Sequence, residues 1–532
     1  MKKRILSFIL TINILFLCLC GRLYYISSAP RAASSQPSTR IKEISSTRGI
    51  IYDCNLKPLV NGTYTYTFCV KPTLKSIEIL TKSGVDENNI NKLKKGNFLF
   101  LQSNNKDYLP QSNDLKALTV YERYTDNVAL HIIGYTDSEE NGVCGIEKYY
   151  NDELLNSGGK LSVAYSADAN GRMLSGEAVE IRNESYYDSD GIVLTIDKDI
   201  QIIAENALKN ADIQKGAAVV LDTATSAILA CACVPCYNRN NLAEYIDDED
   251  SPFLNRAFCA YPVGSVFKLV TAAAALENGV KLPTYNCSGS TIKSGNVFNC
   301  NNTDGHGKMT LETATANSCN PYFIELGVMT GAKNLLFTAD VAGFGKSTDL
   351  GNGNFTQSGV LPDSDDLNSD AAVGNFAFGQ GKLTATPLQI AAFCNTIANR
   401  GVYNEPYLIK GFSDEKGAFS PEIKNDGIKI LNESTCKTLK DAMLQTTETG
   451  TGKIAFTSLF DSCTKTATAQ SGQYNKKGEE IKYCWFTGFF PYEKPEYTIC
   501  IIKEDGVSGG ADCGPVFKEI SENIYIKSKT LP

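Results

Sequence analysis

The stretch that most constrains this sequence is 260–277, AYPVGSVFKLVTAAAALE. Pro262 and Gly264 interrupt regular structure, and the alanine-rich run that follows has a high helix propensity. Because this helix is apolar on nearly every side, we expect it to be buried at the centre of a domain. Ser265 is then placed at or near the helix N-terminus, and Lys268 lies on the same face one turn later.

A serine hydroxyl beside an amine suits nucleophilic catalysis, since the amine can serve as base and the helix dipole favours negative charge at the serine. The pattern alone is weak. The sequence has only two histidines, one in a mixed region and one in a glycine-flanked loop, so a Ser-His-Asp triad is not expected. Ser-x-x-Lys also occurs elsewhere, at Ser103, Ser157, Ser290, Ser413 and Ser434.

The N-terminal segment is basic and then apolar. A Lys-Lys-Arg triplet at 2–4 precedes an apolar run at 5–20, which is either a cleaved signal peptide or an uncleaved anchor helix. Residues 17–21 lack the small-residue pattern of a cleavage site, so the sequence favours a cytoplasmic tail and a single transmembrane anchor within residues 1–28. The basic end stays inside, which places the rest of the chain outside the cell membrane.

The remaining sequence predicts two domains. Residues 29–190 comprise a linker rich in Ser, Ala and Pro, up to residue 46, and a mixed pedestal domain. Residues 191–532 form a larger α+β domain in which helices sandwich a sheet. Its predicted elements are a strand at 192–197, a helix at 200–208, a hairpin at 217–230, helices starting near 310 and 386, strands at 483–489 and 497–502, and a last helix near 513.

Charge and cysteine content limit the function further. The net charge of −8 argues against nucleic acid as the main partner. An exported chain with eighteen cysteines should form disulfides unless its surroundings are reducing, and Cys287 with Cys300 is the pair we predict. Cys231, Cys233 and Cys236 look like a metal cluster, but they follow one strand of a hairpin. On alternating strand faces their sulfurs should not converge, and we predict no metal and no cofactor.

Two downstream motifs select Ser265 from the other serines. Ser318-Cys319-Asn320 follows a predicted short helix, and Lys465-Thr466-Ala467-Thr468 lies in a β-like stretch before the late strands. In this order, the three motifs resemble those of penicillin-binding proteins and serine β-lactamases. Further landmarks resemble class B penicillin-binding proteins: Arg48-Gly49-x-Ile51-x-Asp53-x-Asn55, Asn255-Arg256-Ala257, Phe378-Gly379-Gln380-Gly381, Thr386-Pro387 and Trp485-Phe486-x-Gly488.

The resemblance implies a penicillin-binding transpeptidase fold, with an antiparallel sheet between helices, on a smaller pedestal. It also implies a membrane-anchored peptidoglycan D,D-transpeptidase that cross-links stem peptides through a serine acyl-enzyme and is inhibited by β-lactams. The implied catalytic residues are Ser265, Lys268, Ser318, Asn320 and Lys465. The implied substrate-binding residues are Thr466, Ala467 and Thr468. The implied partners are stem peptides, β-lactams, the membrane and a polytopic glycosyltransferase, with no nucleic acid.

One position departs from the family pattern, because Ala467 stands where the third motif ends in glycine. A methyl group there could crowd the acyl group, although no polar catalytic group is lost. Two alternatives therefore stay open: a catalytically impaired scaffold for cell-wall assembly, and a β-lactamase or D,D-carboxypeptidase. The sequence does not distinguish elongation from division or sporulation.

Overall fold

The computed structural model describes residues 2–28, 38–124, 127–174, 176–188, 190–414, 416–421, 426–474 and 478–530, without the side chains of 2–8 and 26–28. The chain divides into two compact units. The smaller unit comprises Met1–Ser46, Tyr64–Val120 and Lys160–Glu184. The larger unit comprises Thr47–Thr63, Tyr121–Gly159 and Ser185–Pro532.

Among the described residues, the helices have the following bounds: α1 Lys2–Ser28, α2 Leu74–Lys82, α3 Glu87–Lys94, α4 Leu130–Ile133, α5 Gly145–Tyr149, α6 Asn151–Asn156, α7 Lys198–Asn210, α8 Lys268–Glu277, α9 Leu311–Ala316, α10 Asn320–Thr330, α11 Ala332–Val341, α12 Asp370–Ala377, α13 Pro387–Ala398, α14 Glu433–Glu448 and α15 Gly509–Thr530. Short 3₁₀ helices span Arg239–Tyr245, Arg256–Phe258, Gly264–Phe267 and Lys453–Ala455.

The strands have these bounds: β1 Ser38–Ser46, β2 Ile50–Tyr52, β3 Thr63–Val70, β4 Leu99–Ser103, β5 Leu115–Glu122, β6 Lys160–Ala167, β7 Glu180–Glu184, β8 Gly191–Leu194, β9 Gly216–Asp222, β10 Ile228–Val234, β11 Tyr261–Pro262, β12 Tyr285–Cys287, β13 Ser290–Lys293, β14 Asn296–Asn299, β15 Gly307–Met309, β16 Thr384–Ala385, β17 Val402–Tyr403, β18 Ile409–Ser413, β19 Phe419–Pro421, β20 Ile428–Lys429, β21 Cys463–Tyr474, β22 Glu480–Phe490 and β23 Tyr497–Lys503.

The smaller unit contains two three-stranded sheets, β1-β6-β7 and β4-β3-β5. Residues 29–37 of the predicted linker lie outside the described residues. The prediction is wrong for 38–46, because that stretch forms β1 and pairs antiparallel with β6. The basic triplet at 2–4 lies in α1, but its side chains fall outside the description. Within the described residues, no helix combines the length and apolar character of a membrane span, so the predicted anchor is not confirmed.

The units do not divide at the predicted boundary near residue 190. Residues 47–63 and 121–159 belong with the larger unit because they pair and pack there. Strand β2 runs parallel to β8. The Arg48 guanidinium is buried against the Glu147 carboxylate, with 3.1 Å between Nε and Oε2.

The larger unit is built around a five-stranded antiparallel sheet in the order β10-β9-β23-β22-β21. Side chains alternate across it, as the strand period of two requires. Val219 and Leu221 join the core that includes α8 and α13, whereas Ala218 and Val220 join the core formed with α7 and α15. Helices therefore cover both faces, which confirms the predicted α+β class and the sandwiched sheet.

The cysteine predictions are partly wrong. The described thiols are all free, so the predicted Cys287–Cys300 disulfide is contradicted. The expectation that the sulfurs of Cys231 and Cys233 point apart is wrong, because residues two apart on a strand share a face. The Sγ atoms of Cys231 and Cys233 both contact Asn255 Oδ1, at 3.7 and 3.1 Å.

Candidate active site

Ser265 lies in the 3₁₀ turn Gly264–Phe267 that leads directly into α8. Gly264 has a positive φ of 62°, which glycine adopts readily. Its N–H donates to the Gly379 carbonyl at 2.8 Å. A Cβ at Gly379 would collide with the Gly264 carbonyl oxygen. Gly379 of the Phe378–Gly381 motif thus lets two backbone segments touch beside the serine.

Lys268 begins α8 and is fully buried. Its Nζ donates to the Ser318 carbonyl at 2.7 Å and to Asn320 Oδ1 at 2.7 Å. A third contact, at 3.2 Å, joins Nζ to the Ser318 hydroxyl. The first two predicted motifs are therefore linked through one amine.

The second motif is a turn between two helices. The Thr310 capping box starts α9, and α10 begins at Asn320 with Pro321 in its first turn. Between them Ser318 has a φ of 53°, a left-handed conformation that costs a non-glycine residue about 1–3 kcal/mol. This conformation orients the Ser318 side chain and carbonyl toward Lys268.

Lys465 reaches the same point from the sheet. It lies on β21, an edge strand of the five-stranded sheet, and its side chain is fully buried. Its Nζ donates to the Ser318 hydroxyl at 3.1 Å and to the Thr466 carbonyl at 2.8 Å. The Ser318 hydroxyl is thus a bridge between two lysine amines.

The two amines share a site that disfavours two positive charges. Burial lowers the pKa of Lys268 to about 7, and negative charge on Cys319 and Cys300 would oppose that effect. Burial lowers the pKa of Lys465 well below its ordinary value, and the neighbouring Lys268 acts in the same direction. A neutral amine is therefore accessible near physiological pH.

A cleft of about 540 Å³ lies above these lysines. It is lined by every predicted substrate-binding residue, by the serine of each of the first two motifs and by the Asn320 side chain of the second motif. The predicted residues that line it are Ser265, Ser318, Asn320, Thr466, Ala467 and Thr468. The structure therefore brings all the predicted residues together, either in this cleft or directly beneath it.

Ala467 lines this cleft, although only 4% of its surface is exposed to solvent. It shares a face of β21 with Lys465 and Ala469, and a Cβ added to Gly264 would come within 3.1 Å of the Ala469 Cβ. The Ala467 methyl therefore lies on the strand face directed at the nucleophile turn.

Other cleft residues were not singled out from the sequence. The Thr451 hydroxyl is 2.6 Å from that of Thr466, and the N–H of Gly509 donates to Thr468 Oγ1 at 3.2 Å. The start of α15 lines the cleft with Gly509 and Ala511. No local motif marks these positions, since only the tertiary fold brings them to β21. Trp485 of the landmark motif is fully buried, and its Nε1 donates to the Pro262 carbonyl at 2.9 Å.

A second group of side chains lies directly behind the second motif. Its four ligand atoms, three thiol sulfurs and one imidazole nitrogen, are all within 4.8 Å of one another. We call it the Cys/His cluster, and its members are Cys287, Cys300, His306 and Cys319. The sequence did not reveal this group, because Cys287 and Cys300 were predicted to form a disulfide and His306 lies in a glycine-flanked loop.

Comparisons with known proteins agree with this geometry. A family model described as "Penicillin binding protein transpeptidase domain" matches residues 216–522. Stage V sporulation protein D of Bacillus subtilis (strain 168) is 29% identical over 409 residues, covering 73% of this chain and 61% of that protein. The chain thus spans less than two thirds of that relative's length.

Two further comparisons cover more of the chain. Peptidoglycan D,D-transpeptidase FtsI of Escherichia coli (strain K12) is 26% identical over 530 residues, 92% of this chain and 84% of that protein. A solved complex between penicillin-binding protein PBP2 and MreC from Helicobacter pylori matches with a TM-score of 0.66 and 25% identity. That match covers 92% of this chain and all of the matched chain.

Proposed function

Because the chain belongs to the penicillin-binding protein transpeptidase domain family, we propose that it is a peptidoglycan D,D-transpeptidase acting through an acyl-enzyme on Ser265. The observation that carries this proposal is the convergence of two buried lysine amines on one hydroxyl beneath a cleft lined by Ser265. A relative's name, D,D-transpeptidase, supports the same substrate class.

In the acylation step, the Ser265 hydroxyl attacks the carbonyl of the penultimate D-alanine of a stem peptide. Neutral Lys268 takes the hydroxyl proton as the Oγ–C bond forms. When the C–N bond to the terminal D-alanine breaks, the proton passes from Lys268 through the Ser318 hydroxyl to the leaving amine. The 3.2 Å contact between Lys268 Nζ and Ser318 Oγ supports this relay.

The second half-reaction reverses these roles. An amine from a neighbouring stem peptide attacks the ester carbonyl of the acyl-enzyme and loses a proton through Ser318 to Lys268. The ester C–O bond breaks, and the proton returns to Ser265. The products are a cross-linked peptide and the free serine, with no net proton change.

Substrate binding is assigned to the edge of the sheet. On its free side, β21 offers backbone donors and acceptors to an added peptide strand. Thr466 and Thr468 bind the peptide carboxylate, with Lys465 supplying positive charge. The N–H groups of Ser265 and Thr468 form the oxyanion hole, in which each donor contributes about 3–4 kcal/mol to transition-state stabilisation.

Fluorescent penicillin labelling tests this function. The folded wild-type chain should gain one stable label, and Ser265→Ala should gain none while keeping its melting temperature. Absence of labelling in folded wild type, with a positive control labelled in parallel, would overturn the enzyme proposal. Rapid loss of the label would instead identify a hydrolytic enzyme, either a β-lactamase or a carboxypeptidase.

Ala467 motivates a second candidate function, a catalytically impaired scaffold for cell-wall assembly. The methyl group on the face of β21 that meets the nucleophile turn is the specific observation in its favour. Comparison of wild type with Ala467→Gly separates the two. A transpeptidase predicts similar acylation rates for both proteins, whereas a scaffold predicts labelling only after the methyl group is removed.

We also propose that residues 1–28 anchor the chain in the cell membrane, with the catalytic unit outside the cell. The apolar run at 5–20 behind a basic triplet supports this orientation. A polytopic glycosyltransferase is the proposed partner, because a cross-linking enzyme needs new glycan strands beside it. Removal of residues 2–28 should move the protein from the membrane fraction to the soluble fraction, and retention in the membrane fraction would contradict the anchor.

A further inference from the structure

The Cys/His cluster joins two separate parts of the larger unit. Three of its members come from the hairpin region 285–309, where β12 pairs with β15 and β13 pairs with β14. In that pairing Cys287 lies opposite Gly307, which brings His306 beside it. The fourth member, Cys319, is the N-cap residue of α10 and stands between the two polar residues of the second motif.

The distances within the cluster fit a tetrahedral metal ion. A zinc ion with Zn–S bonds of about 2.3 Å holds its sulfurs about 3.8 Å apart, and a sulfur and an imidazole nitrogen about 3.6 Å apart. The sulfurs of Cys300 and Cys319 are 4.0 Å apart. The Cys300 sulfur lies 3.4 Å from His306 Nδ1. A disulfide, by contrast, needs about 2.05 Å between its sulfurs.

The surroundings of the cluster suit a closed structural site. Cys287, Cys300 and Cys319 are exposed by 5% or less, and His306 is half-buried. Thiolate and imidazole ligands prefer Zn²⁺ to hard cations such as Mg²⁺ or Ca²⁺. Four protein ligands in this set leave no open position, which is the arrangement of structural rather than catalytic zinc.

We propose that the Cys/His cluster binds one Zn²⁺ ion and that this ion holds the Ser318–Asn320 turn against the hairpin region. The zinc-binding half of the proposal stands independently of the enzyme function, whereas the positioning half rests on it. The ion acts through Cys319, because the backbone of this residue joins Ser318 to Asn320. The Ser318 hydroxyl bridges the two lysine amines, and the Asn320 side-chain amide contacts Lys268. The Asn320 side-chain nitrogen also donates to the Asn299 carbonyl of β14 at 3.0 Å, so a direct hydrogen bond already joins the Ser318–Asn320 turn to the hairpin region.

The bound metal ion would support the Ser318–Asn320 turn, which is strained. Ser318 holds a left-handed backbone conformation, and the contacts around it must maintain that geometry. A displacement of about 1 Å at a catalytic group can cost on the order of 100-fold in rate. Loss of the ion should therefore slow acylation of Ser265 without removing any group that reacts.

Metal analysis of the full chain tests zinc binding. Protein purified under reducing conditions should contain about one Zn²⁺ per chain. Dialysis against a mild chelator should lower the zinc content of Cys287→Ala at least tenfold relative to wild type. Cys436→Ala is the matched control, because it removes another buried free thiol from a site outside the cluster, and it should keep the wild-type zinc content.

X-ray absorption of the wild-type protein tests the ligand set without depending on a variant that folds. It should show three sulfur ligands at about 2.3 Å and one nitrogen at about 2.0–2.1 Å. The proposal is overturned if reduced wild type binds no added Zn²⁺. It is equally overturned if the metal has another ligand set, or if Cys436→Ala loses as much zinc as Cys287→Ala.

The positioning role is tested by the maximal rate of penicillin acylation. Removal of zinc should lower this rate at least about tenfold, with a smaller change in the penicillin dissociation constant, and added Zn²⁺ should restore it. Equal rates with and without zinc would overturn the positioning role. If wild type binds zinc but is never labelled, the enzyme proposal fails while the zinc site stands.

Discussion

The pH dependence of acylation follows from the burial of Lys268. This amine must be neutral to accept the Ser265 proton, and its pKa is lowered to about 7 by burial. Since deprotonation creates the active form, the acylation rate should rise with pH. The neutral fraction is about 9% at pH 6 and about 91% at pH 8, so the rate should increase about tenfold between them. Above pH 8 the rate should level off.

The assay is the second-order rate constant for fluorescent penicillin at pH 5.5 to 8.5, with melting temperatures recorded at each pH. A flat profile would refute the role of Lys268. A rate that still rises without levelling at pH 8.5, as the ordinary lysine pKa of about 10.4 would give, would refute it equally.

Two further substitutions test the structural account. Gly379→Ala has a φ of 90° and places a methyl group on the Gly264 carbonyl, so it should slow acylation more than tenfold. Gly353→Ala is its control, with a similar φ of 82° and open space around the new methyl group. This control should cost only about 1 kcal/mol of stability and leave the labelling rate unchanged. Glu147→Gln leaves the buried Arg48 guanidinium uncompensated and should lower the free energy of unfolding by about 3–5 kcal/mol, whereas Glu78→Gln, which breaks an exposed ion pair, should change it far less. Thermal unfolding of each variant checks these values, and equal effects from the two glutamate changes would contradict the assigned burial.

Local signals in the sequence predicted much of the fold. The Thr386-Pro387 pair predicts a helix start, and the structure places a capping box there at the beginning of α13. Alternating apolar runs predicted the late strands, whose register the sheet then fixes. These features succeed because caps, turns and strand periodicity depend on neighbouring residues.

Features that depend on distant contacts were harder to predict. Nothing local in the 38–46 stretch shows that β6 will pair with it. The Cys/His cluster was missed because its members are widely spaced and converge only when two hairpins fold against the start of α10. Ser265 was placed correctly near a helix start, but the structure begins with a 3₁₀ turn there, because Gly264 must reach the backbone of Gly379.

The most direct test of the central claim is to locate the acyl group. The folded chain would be incubated with benzylpenicillin at pH 8, digested, and mapped by tandem mass spectrometry. The account predicts one penicilloyl group, on the peptide containing Ser265 and on that side chain alone. A folded protein with no adduct, or an adduct on Ser318 or on a cysteine, would contradict it.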